Sequence, residues 1–129
     1  MSEMNAIVHE FVQEGTEKID QAEHHIIELE KSPNSRQLLN EVFRVMHSIK
    51  GATGFLGFTK LSALTHTAET LLARLRDGKL VVTPEITSAL LDVVDAVRRA
   101  LSEIESTGRE GSGSYTALIN TLTGFEKSK

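Results

Sequence analysis

The sequence predicts an all-α domain: an antiparallel up-and-down four-helix bundle with a short fifth helix at the C-terminal end. Three observations carry that prediction. Apolar residues recur at spacings of three and four in successive segments, the period of one helix face. Short stretches containing Pro, Gly or Ser separate the segments, too short for anything but a reversal onto a neighbour. And 129 residues, 40% of them apolar, are enough for one core and too few for two ordinary domains. A coiled-coil rod would share the period, but the breaks interrupt any continuous seam.

The first helix is expected over about residues 3 to 31, roughly 40 Å long, with Ile7, Val8, Phe11, Ile19, Ala22, Ile26 and Leu29 as its stripe. It stops at "SPNS", where Pro33 lacks an amide donor and disfavours helix at Ser32. Ser35 suits the N-cap of a second helix whose stripe is Leu38, Leu39, Val42, Phe43, Met46 and Ile49, fading near Gly54 and Gly57. Thr59 is placed to cap a third, with Leu61, Leu64, Ala68, Leu71, Leu72 and Leu75 inward and an end at Asp77-Gly78. Thr83-Pro84 opens a fourth, since proline at the first helical position gives up a donor that has no partner there. Its stripe is Ile86, Leu90, Val93, Val94, Val97, Leu101 and Ile104, as far as Thr107-Gly108. The bundle is thus expected over residues 1–106. Residues 107–129 are expected to add a flexible polar connection, "GREGSGS", and a short helix bearing Tyr115, Leu118, Ile119, Leu122 and Phe125, within the same domain.

Composition narrows the function. The net charge is −4 with Lys and Arg interspersed among acids, so no basic face is expected for nucleic acid. There is no cysteine, no apolar run long enough to insert into a membrane and no secretory signal pattern, so a cytoplasmic location is expected. Each stripe is wide enough to be covered within one bundle, so a monomer is expected.

One stretch runs against helix economy: "VMHSIKGATGFLGF", residues 45–58, places glycines where a helix should continue. On a helical wheel His47 lies about 110° from the apolar centre, on a flank shared with Asn40, Phe43, Arg44, Lys50, Gly51 and Gly54. Gly51, one turn after His47, leaves empty the place of a side chain, at about 1 kcal/mol of helix stability relative to alanine. Open space beside an imidazole is what a docking partner needs, with Gly51, Arg44 and Gly54 as its candidate contacts. Spacing alone allows equally that the glycines fray a helix end and His47 is an ordinary surface histidine.

"HSIKGATGFLGF" followed by "THTAETLLARLRDG" resembles the histidine phosphotransfer (HPt) domain at the N-terminus of CheA-type chemotaxis histidine kinases. The resemblance spans the four helices, roughly residues 4 to 106. It implies that His47 accepts the γ-phosphoryl of ATP from a separate histidine kinase catalytic domain and passes it to an aspartate of a response-regulator receiver domain. It implies also that Glu69 hydrogen-bonds the imidazole, with Lys50 and His66 completing a polar network. ATP and magnesium would serve the kinase domain, and no cofactor is expected here. The chemistry of the residues agrees. A carboxylate holding Nδ1–H leaves Nε2 free as nucleophile, and Lys50, one turn after His47, offers positive charge to phosphoryl oxygens. Glu69 lies about 110° from its own apolar centre, able to face His47 across an antiparallel pair. His66 lies nearly opposite its stripe, where a surface histidine is an equal reading.

Other chemistries fail. "GATGFLGFTK" lacks the spacing of a phosphate-binding loop, and no strand precedes it. The residues three before each histidine are Ala6, Gln21, Ala22, Arg44 and Ala63, so no Glu-x-x-His metal pattern exists. The His24-His25 pair points two ways around a helix and is expected at the surface. Two classes therefore remain: a phosphoryl-transfer module, either a piece of a chemotaxis kinase or a free-standing relay, and a structural or partner-binding helical bundle.

Overall fold

The computed structural model describes residues 3–127, with side chains from residue 5 onward. Five helices follow in order: α1 (Glu3–Lys31), α2 (Arg36–Leu56), α3 (Thr59–Arg76), α4 (Pro84–Thr107) and α5 (Thr116–Lys127). No strand occurs among the described residues, and no helix there is long and apolar enough to cross a membrane.

The helix ends follow the expected local chemistry except at the start of α3. Ser35 Oγ accepts the Leu38 N–H at 3.2 Å, and Thr83 Oγ1 accepts the Ile86 N–H at 3.3 Å with Pro84 just inside α4. The third helix ends at Asp77, where Gly78 takes φ +77° and lets Lys79 N–H return to Arg74 O at 2.9 Å. The start of α3 differs from expectation. Thr59 is the first helical residue, and the cap position belongs to Phe58, whose side chain makes no capping bond. Glu110, from the connection after α4, replaces it: its carboxylate accepts Lys60 N–H at 3.3 Å and Leu61 N–H at 2.8 Å. An anion at a helix N-terminus satisfies orphan donors and opposes the helix dipole together, which a threonine hydroxyl does less well. Phe58 is thereby free to be buried, its ring 5.9 Å from that of Phe11.

Contacts across the bundle run in opposite numerical order, which makes the neighbours antiparallel. Between α1 and α4, His9 meets Glu105 at 3.0 Å and Asp20 meets Arg98 at 2.7 Å. Between α2 and α3, His47 meets Glu69, and Arg76 lies over Phe43. Lys18 of α1 donates to Ser48 of α2 at 2.6 Å. The short α5 packs on α3 and α4, with Leu122 fully buried.

Every apolar residue expected on the stripes of α3 and α4 is buried. On α1 the expectation fails at one position, since Ile7 is 43% exposed. The core face there centres on Val8, Phe11, Val12 and Gly15, which puts Ile7 about 90° off it. Gly15 is part of the reason, because a Cβ there would sit 3.2 Å from Leu101 Cδ1, so α4 approaches α1 at that turn. The second helix ends where expected, passing through Gly51 and Gly54 to Leu56 and stopping at Gly57 with φ +83°, so the two earlier glycines do not fray its end.

Candidate functional site

Because α2 stays helical through Gly51 and Gly54, His47 stands on an unbroken rod facing the middle of α3. Glu69 comes from α3 one turn after His66, and its side chain is only 10% exposed. Three cationic or potentially cationic groups surround its carboxylate. Oε2 is hydrogen-bonded to Nδ1 of His47. Oε1 accepts from Lys50 Nζ at 2.7 Å, and His66 Nδ1 lies 3.6 Å from the same oxygen, outside hydrogen-bonding reach.

Burial pushes the Glu69 carboxyl up, but the hydrogen bonds from Lys50 and then His47, with their charges, outweigh it and hold it below the usual carboxylate range. Glu69 is therefore ionised near neutrality and can only accept. It follows that Nδ1 of His47 carries the proton, and that the neutral ring presents Nε2 with its lone pair free. The His47 side chain is 64% exposed, so the ring can be approached from solvent.

Of the residues singled out from sequence, His47, Glu69, Lys50 and His66 converge on this one carboxylate. Lys50 is turned to Glu69, so its first electrostatic effect is to keep that carboxylate charged. Gly51 is exposed with nothing within 4 Å of the position of a Cβ, and Gly54 has only Ser62 Oγ at 3.9 Å. Arg44 is exposed on the same helix and has no ion pair among the described residues. Together with Phe55, Thr59, Ser62 and Ala63, the two glycines, Lys50 and His66 line a shallow groove between α2 and α3.

Two aromatic residues of the site were given no role from sequence. Phe43, which the wheel puts both on the stripe and on the flank of His47, is half-buried, and its ring stacks on the His47 ring at 7° between planes and 6.1 Å between centroids. The spacing of four between them was the available signal. Phe55 is 81% exposed at the rim of the groove; an aromatic off the stripe between two glycines was its signal.

A family model described as the Hpt domain matches residues 6–100, and the chain belongs to that family. Within the family its resemblance is to the phosphotransfer domains of chemotaxis kinases. It is 30% identical, with a TM-score of 0.82, to the histidine phosphotransfer domain of CheA solved in solution, covering 92% of each chain. A TM-score of 0.85 relates it to the phosphorylated P1 domain of CheA3 from R. sphaeroides, solved in complex with CheY6; it covers 93% of this chain and 94% of that one, and at 24% identity it shows the fold alone. Among curated proteins it is 36% identical over 110 residues to the sensor histidine kinase CheAY of Helicobacter pylori, which covers 85% of this chain. The chain spans 14% of the length of that relative.

Proposed function

We propose that this domain is the histidine phosphotransfer module of a chemotaxis two-component system, with His47 as both acceptor and donor. Nε2 attacks the γ-phosphorus of ATP held with magnesium by a histidine kinase catalytic domain. The phosphorus–oxygen bond to ADP breaks, ADP leaves, and a nitrogen–phosphorus bond forms. The ring becomes formally cationic, and the Glu69 carboxylate at Nδ1–H stabilises that charge. In the second step an aspartate carboxylate of a response-regulator receiver domain attacks the phosphorus. The nitrogen–phosphorus bond breaks, its electron pair returns to Nε2, and the neutral ring is restored.

What supports this reading above all is the ionised Glu69 on Nδ1, which leaves Nε2 nucleophilic on an exposed ring. Phosphoryl transfer asks little covalent chemistry of the protein beyond position and charge. The open groove beside Gly51 and Gly54 gives a partner room to approach, Arg44 is exposed two turns earlier on the same helix, and Lys50 is near enough to turn from Glu69 to a phosphoryl oxygen. His66 adds charge to the network at longer range. The domain works in the cytoplasm as a monomer and binds no cofactor of its own.

Incubation with a cognate kinase core and Mg-ATP should place an acid-labile, alkali-stable phosphate on the chain. His47→Gln should abolish it with folding nearly unchanged, while substitutions of His9, His24 or His25 should leave it intact. Acid-labile phosphate on the His47→Gln chain would falsify the assignment.

A further inference from the structure

We propose that Phe43 is a positioning residue for the reactive imidazole, itself steadied by Arg76; this rests on His47 being the phosphoryl acceptor. The Glu69 hydrogen bond fixes one atom of the ring and its tautomer. It still lets the ring tilt about the Nδ1–oxygen line, and each tilt swings the Nε2 lone pair. In-line displacement at phosphorus needs that lone pair aimed along the leaving bond, so tilt is lost rate.

Phe43 removes this freedom from the face of the ring. It stands one turn before His47 on the same helix, and the two planes differ by only 7° with centroids 6.1 Å apart, an offset parallel stack. Phe43 in turn is held from a different helix. The Arg76 guanidinium carbon lies 4.6 Å from the Phe43 centroid, within cation–π range, and Arg76 Nε is 3.2 Å from Asp77 Oδ1. On the other side of His47, one turn further on, Gly51 puts nothing within 4 Å of a Cβ position. The imidazole thus has an aromatic neighbour toward the N-terminus of α2 and open space toward its C-terminus. Partners enter from the Gly51 side without disturbing the element that sets the ring plane.

The test compares Phe43→Leu, which keeps apolar volume but loses the flat face, with Phe43→Tyr, which keeps the ring. Phosphate acceptance is measured at varied kinase-core concentration, alongside the melting temperature and the NMR signals of the His47 ring. Phe43→Leu should lower the saturated rate about tenfold with little change in half-saturation. It should also remove the ring-current shift of the His47 carbon-bound protons while the nitrogen shifts keep the same tautomer. Phe43→Tyr should restore rate and shift, and Arg76→Gln should give a smaller loss in the same direction. A wild-type rate in Phe43→Leu overturns the proposal. So does a loss confined to half-saturation, which would make Phe43 a docking contact, or an equal loss in Leu and Tyr variants that tracks melting temperature, which would make it packing. If the wild-type chain takes no phosphate on His47, the function proposed above fails first and this inference with it; phosphate on His47 with an indifferent Phe43 overturns this inference alone.

Discussion

A carboxylate nearly out of water must have its charge answered on the spot, and Glu69 is answered twice by hydrogen bonds, from Lys50 at 2.7 Å and from His47. In the proposed function the same two bonds serve chemistry, because they keep the group ionised and so dictate which imidazole nitrogen holds the proton. They also link the site to stability. The folded carboxyl titrates below its ordinary value, so its contribution is present above the ordinary carboxylate range and is lost as pH falls through the lowered value. Glu69→Gln keeps size and loses charge. At neutral pH it should cost about 1 kcal/mol, and the difference from wild type should shrink in strong acid. Thermal unfolding of both proteins from neutral to acid pH checks this; parallel curves over the whole range would show that the Glu69 charge carries no stability. The same variant should slow phosphorylation, by ~10²-fold if orientation of the ring limits the rate. The pair of His47 and Glu69 was legible in sequence through the family resemblance, with which their flank positions agree. The burial of Glu69 was not, because a wheel computed on one helix does not contain the neighbour that covers the flank.

At the scale of the element, α2 keeps helical geometry through Gly51 and Gly54, which spacing alone would equally allow to fray its end. Neighbouring turns are held by buried Ile49 and Thr53 on the core side, so packing outweighs propensity. Gly51 therefore sits in a regular helix with open space around it, and the two roles of a side chain there can be separated. Gly51→Ala should raise stability by about 1 kcal/mol, since helix propensity improves and nothing is displaced. Gly51→Leu should leave the melting temperature near wild type or above it, and slow transfer to a receiver domain far more than it slows unfolding. Stopped-flow transfer rates beside melting curves decide the matter. Equal transfer by the Leu variant and wild type would mean that the gap has no steric purpose.

Across the whole molecule, the connection between α4 and α5 is held rather than loose. Glu110 caps α3, and Lys60 Nζ donates to Gly111 O at 3.0 Å and Gly113 O at 3.1 Å. A Cβ at Gly111 would fall 2.1 Å from Glu103 Oε2, so a side chain there would have to displace the Glu103 carboxylate, the far end of an exposed side chain. A segment of polar and small residues reads as a linker by composition, and no local rule reveals that a helix start some fifty positions away lacks a cap. Glu110→Ala should lower stability by about 1 kcal/mol and speed hydrogen exchange in the first turn of α3. Phosphate acceptance at His47 should be unchanged, since Glu69 lies more than two turns along α3 from that end and holds both His47 and Lys50. Unaltered exchange at Lys60 and Leu61 would mean that water caps the helix as well as Glu110 does.

What the sequence determined by itself is local and periodic. Stripes three and four residues apart specify helices and their inner faces, Ser35 and Thr83 specify two starts, and Gly57, Gly78 and Gly108 specify three ends through the left-handed backbone that glycine tolerates. The motif around His47 belongs to the same level, for its residues lie within two turns of one helix. Tertiary structure alone decided which flank meets which. It made Glu69 a buried anion and turned Lys50 toward it. It set Arg76 over Phe43, and brought Glu110 to the end of α3. Each of these depends on the distance between groups far apart in the chain, and an ion pair, a stack or a cap has no energy until packing sets that distance.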